Sequence, residues 1–97
     1  MSILCIKLRR FEKNTLKGFV DLQLTRVGIV IRDCTWHRYP DGAEWVGFLA
    51  RNYTNPGTGE NKWQPLVEFA PGAKKAREEF REQALKAIHA VADEEAA

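Results

Sequence analysis

With 97 residues, 44% of them hydrophobic and 29% charged, the chain has the size and composition of a single globular domain. No apolar run reaches membrane-spanning length. The charges of "MSILCIKLRR" follow its apolar patch rather than precede it, so the stretch does not read as a secretory leader. The net charge of +2 hides an asymmetry: residues 1–39 hold eight Lys and Arg against three Asp and Glu, and the rest is acidic overall. Such a basic half suits an anionic polymer, or cations that keep a sheet dispersed and its edges unpaired. Cys5 and Cys34 have no metal-ligand or disulfide-framework spacing. They read as reduced thiols of a cytoplasmic protein.

In chain order, "ILCIKLRRF" alternates as a first strand, with Leu4, Ile6 and Leu8 on one side. After the turn "EKNT", "LKGFVDLQLT" puts Leu16, Val20, Leu22 and Leu24 on one side. "VGIVIRDCTWHRY" is a long third strand. "PDGA" is a turn in which Gly42 can take a positive φ. "EWVGFLARNY" is a fourth strand, "TNPGTGEN" a loop, and "KWQPLVEFA" a fifth strand that Pro65 confines to an edge or a bulge. The pattern then changes to a helical period over residues 73–92, with Phe80, Ala84, Ala87, Ile88 and Val91 on one stripe. Leu85 falls off that stripe, either as a second packing contact or as a single exposed leucine. The expected fold is α+β: one domain over residues 1–97, with an antiparallel sheet of about five strands within 3–70 and one C-terminal helix packed on one face.

One helix covers one face, so the other face is free for water, a second subunit or a ligand. Parity assigns its residues. Lys7, Arg9, Lys17, Arg32, Trp36, Arg38, Trp45, Arg51 and Tyr53 fall there together, with Phe19. The assignment of Trp36 holds only if the third strand runs without a bulge, because a bulge exchanges the faces. Rings among cations suit single-stranded DNA or RNA: bases stack on the rings and the cations meet the phosphates. The same rings and arginines also suit a dimer or partner interface, which gives the rival reading of a homodimeric interaction module.

Catalytic signals are thin. Cys34 and His37 lie three apart on a strand, on opposite faces, so the imidazole cannot activate the thiol. No phosphate-binding glycine loop and no clustered metal ligands occur. The chain reads as a non-enzyme without cofactors.

The order of motifs resembles the SpoVG family, stage V sporulation protein G and its relatives, including small phage and prophage proteins. The resemblance is carried by "KLRR" (7–10), "KGFVDLQL" (17–24), "GIVIRDCTW" (28–36), "WVGFLAR" (45–51), "GENKWQP" (59–65) and "REEFREQALKAI" (77–88). The strands-then-helix order is also similar to the single-stranded-DNA-binding domain of the eukaryotic transcription cofactor positive cofactor four. Both resemblances imply a homodimer that binds DNA or RNA without catalysis, in the regulation of transcription or replication. Relatives tend to have Pro where this chain has Leu49, and the loop at 54–62 is longer here.

Overall fold

The computed structural model describes residues 2–96, and the side chains of residues 2–94. Strands come first and the helix last. The strands are β1 (Ile3–Lys13), β2 (Leu16–Leu24), β3 (Ile29–Arg38), β4 (Glu44–Gly47), β5 (Ala50–Thr54) and β6 (Asn61–Pro65), followed by α1 (Lys74–Ala96). β1 to β4 form an antiparallel meander in sequence order, and β5 and β6 form a separate two-stranded ribbon. The fold is therefore α+β as expected, with the strands divided four and two.

The expected fourth strand breaks at Phe48 and Leu49. Phe48 turns under the start of the helix, where its ring lies 5.2 Å from Phe80 and 5.8 Å from Phe69. That aromatic anchor ends β4, and the chain leaves the body as the β5–β6 ribbon. The molecule is consequently elongated, at 52 × 31 × 25 Å. Its radius of gyration of 14.9 Å exceeds the ~12.5 Å that compact chains of this length show.

Helix α1 lies on one face of the meander, against β1 and β4. Its buried positions Phe80, Ala84, Ile88 and Ala92 recur every four residues, one stripe of a helix. They meet Ile3, Val20, Leu22, Cys34 and Trp36 from the sheet. Leu85 packs at the margin of this core, the first of its two expected roles. Ala84 and Ala92 are small side chains on this buried stripe, which shares its cluster with the large Trp36 indole.

Two face assignments change, for one reason. At the Asp21 step of β2, both neighbouring strands carry one extra residue. Cys5 pairs with Leu22 but Lys7 with Asp21, and Cys34 pairs with Val20 but Ile31 with Leu22. Each bulge exchanges the faces beyond it. In β1 the helix side takes Ile3, Cys5 and Leu8, while Leu4 and Ile6 are about half exposed. In β3 it takes Ile31, Cys34 and Trp36, so Trp36 is in the core and not on the open face.

Asp21 holds this double bulge. Its buried carboxylate accepts the Asp33 backbone N–H (3.0 Å) and Arg32 Nη1 (3.0 Å). Asp33 sits at φ 55°, the left-handed turn that puts the extra residue into β3. The Asp33 amide, opposed by desolvation and aided by Arg32, holds the Asp21 carboxyl below the usual carboxylate range. A lowered folded pKa means stability that is complete above the ordinary value near 4 and lost as pH falls through the folded value. Asp21→Asn should therefore flatten the loss of stability in urea titrations between about pH 5 and pH 2. An unchanged acid profile would show that other carboxylates govern acid unfolding.

Candidate nucleic-acid interface

The open face is read from the strand register. One row runs Leu4–Gln23–Val30, the next Lys7–Asp21, the next Arg9–Phe19–Thr35–Gly47, and the last contains His37–Trp45. Rings and cations do share this face. The Arg9 guanidinium sits over the Phe19 ring at 5.8 Å, and Phe11 tilts against Phe19 at 6.1 Å. His37 and Trp45 are stacked nearly coplanar, 4.1 Å apart at 4°.

The stack has a local cause. His37 and Trp45 are cross-strand partners two pairs out from the β3–β4 turn, which closes with Gly42 at φ 92°. The Trp45 ring lies flat over Gly47: a Cβ there would stand 2.7 Å from the indole and 2.7 Å from Thr35 Oγ1. Any side chain at 47 would lift the indole. Thr15 Oγ1 fixes the imidazole through Nδ1 at 3.1 Å. Burial lowers the His37 pKa, so the ring is neutral at pH 7.

The cations are less free than the sequence suggests. Arg9 is ion-paired with Asp33, Arg32 with Asp21 (3.0 Å), and Lys17 stands 3.7 Å from Glu12. Lys7 has no ion pair among the described residues. Lys17 sits at a register shift of β2, in a groove with Tyr39 and Arg38.

Trp36 and Arg38 leave the expected site. Trp36 is only 3% exposed. Arg38 shares its parity on the helix side, 5.6 Å over the indole, and donates from Nε to Glu44 Oε1 at 2.6 Å. The other Glu44 oxygen meets His89 Nε2 of the helix at 2.5 Å. These residues tie the β3–β4 hairpin to α1. Cys34 is also in the core, and burial pushes its thiol up to about 12, which leaves it inert as a nucleophile at pH 7.

Arg51 and Tyr53 lie on the β5–β6 ribbon, apart from the meander. Their partners are Gln64 and Lys62, so one ribbon face presents Arg51, Tyr53, Lys62 and Gln64. Neither strand contains an acid, and Arg51 and Lys62 have no ion pair among the described residues. The opposite ribbon face carries Trp63, 71% exposed. Lys62, Trp63 and His37 were not among the expected site residues. The signal for the first two was in "NKWQP", a strand with a ring and a cation but no apolar neighbour to pack on.

No protein-family model, curated protein or solved structure matches this chain. Its class is set by the coordinates: a four-stranded antiparallel meander backed by one helix, with a two-stranded arm. No helix among the described residues is long and apolar enough to cross a membrane, and no cluster of metal-ligating side chains occurs among them.

Proposed function

We propose that the chain is a non-catalytic binder of single-stranded DNA or RNA, a SpoVG-like regulator acting as a homodimer in the cytoplasm. The observation that carries the binding is the acid-free arm face, where exposed Tyr53 stands between Arg51 and Lys62 with no carboxylate on either cation. A base stacks on the phenol while the cations meet the flanking phosphates. The His37–Trp45 stack and the Arg9–Phe19 pair supply a second set of rings on the meander.

The test is fluorescence anisotropy with labelled dT and U oligonucleotides and a duplex of equal length. With three or four phosphates engaged, affinity should fall about 10- to 100-fold between 50 and 200 mM salt. Single strands should bind more tightly than duplex, whose base faces are already stacked. Absence of binding at 50 mM salt to all three would end this reading.

The rival, a protein-interaction module, is favoured by a different observation. Leu4, Ile6, Val27, Ile29 and Val30 are all exposed at the end of the meander near the β2–β3 turn. By register Leu4 and Val30 face the open side and Ile29 the helix side, and exposed apolar side chains gathered at one end of a sheet suit a partner interface. Native mass measurements of the same samples, with and without oligonucleotide, read both proposals at once.

A further inference from the structure

Asp21 and Asp33 pair with the arginines of the open face, and they are not equivalent. Asp21 is buried and builds the bulge, as described above. Asp33 is different: its side chain is 46% exposed and its ion-pair partner Arg9 is 52% exposed. An ion pair so open to water adds little to stability. The Asp33 backbone, not its carboxylate, satisfies Asp21. The side chain therefore has no packing task, yet it holds a guanidinium that is poised over an aromatic ring.

We infer that the Arg9 guanidinium is the seat of one backbone phosphate of a bound strand, and that the Asp33 carboxylate occupies this seat in the free protein. A carboxylate and a phosphodiester offer a guanidinium the same pair of acceptor oxygens. The Phe19 ring lies 5.8 Å beneath the guanidinium and gives it a contact that does not involve Asp33. Phe11, 51% exposed and 6.1 Å from Phe19, gives the adjoining base a ring. An incoming phosphate displaces Asp33, which then turns to water. The displaced carboxylate remains near the phosphate, and this repulsion sets an upper limit on affinity. The device also selects: a ligand must bring an anionic group of its own, as each backbone phosphodiester of a strand does, to compete with a tethered carboxylate. The inference rests on the nucleic-acid reading above and deepens it.

Asp33→Asn tests the seat. Asn tolerates the left-handed φ of 55° and keeps the backbone donor to Asp21, so the fold is retained. Asp93→Asn, at an exposed position on the helix, removes the same charge elsewhere. With a dT oligonucleotide, Asp33→Asn should bind about 3- to 10-fold more tightly than wild type and steepen the salt slope by roughly 0.7. Asp93→Asn should change affinity less than twofold. Adding Arg9→Gln to Asp33→Asn should abolish the gain, whereas independent sites would give additive effects. If wild type binds and Asp33→Asn behaves like Asp93→Asn, the seat is overturned while the binding reading stands. If neither wild type nor Asp33→Asn binds, both fall.

Discussion

Trp36→Ala should unfold the protein far more than it alters any surface. The indole is 3% exposed and belongs to the buried cluster that includes Phe80, Ala84 and Ile88, with Arg38 over its ring and His89 tilted against it at 6.1 Å. Truncating a buried tryptophan costs about 3–5 kcal/mol. A domain has roughly 5–15 kcal/mol in total, so the loss takes at least about a fifth of the margin, and more in a chain this small. Thermal unfolding followed by circular dichroism should show the midpoint lowered by at least about 12 °C, at the roughly 4–8 °C per kcal/mol typical of such domains. Trp36→Phe separates packing from recognition. It keeps a ring in the core, and it removes an Nε1 that has no partner among the described residues, so it should cost much less than alanine. At temperatures where it is folded, Trp36→Phe should bind oligonucleotide as wild type does. A clear loss of binding in a folded Trp36→Phe protein would put the indole back at the interface.

The misplacement of Trp36 shows what strand parity can and cannot carry. Alternation from Ile29 and Ile31 leads to Asp33, Thr35 and His37 on the same side, and that continuation is polar. The apolar set changes instead to Cys34 and Trp36, and the change of parity within "IVIRDCTW" was itself the mark of an inserted residue. In β1 no such mark exists, because Leu4 and Ile6 are as apolar as Ile3 and Cys5. Only the partner strand decides between them, through pairings with Leu22 and Asp21 that are remote in sequence. The helix was legible because apolar residues at helical spacing through 73–92, Phe80, Ala84 and Ile88 among them, do not fit the alternation of a strand. The break at Phe48 was not, since it depends on Phe69 and Phe80, about twenty and thirty residues further on. The register of His37 and Trp45 could have been counted outward from "PDGA". That count would have placed an imidazole–indole pair on the open face and Trp36 opposite Val46 on the other.

The arm carries the second large effect. Reversing both of its cations, Arg51→Glu with Lys62→Glu, should weaken binding of a dT oligonucleotide by about 100-fold or more at 50 mM salt. It should also lower the magnitude of the salt slope by roughly 1.4, two phosphate contacts at about 0.7 each. Tyr53→Ala should cost about 1–3 kcal/mol with little change in slope, because stacking releases no counterions. The contrast between the two variants is the diagnostic, since misfolding would damage both readouts together. Folding should be indifferent to either change: the ribbon is a sheet of its own, and the buried core lies wholly between the meander and α1. Unfolding midpoints within about 3 °C of wild type are expected, as for surface substitutions generally. Arg51 and Lys62 are already like charges set diagonally on one ribbon face, so two glutamates there reproduce a repulsion that the wild type tolerates, and the β5–β6 pairing should survive. Should the double reversal keep wild-type affinity while the native mass shifts from dimer to monomer, the arm is a protein interface. The rings of the meander would then have to account for any nucleic-acid binding alone, with their arginines already engaged by Asp21 and Asp33.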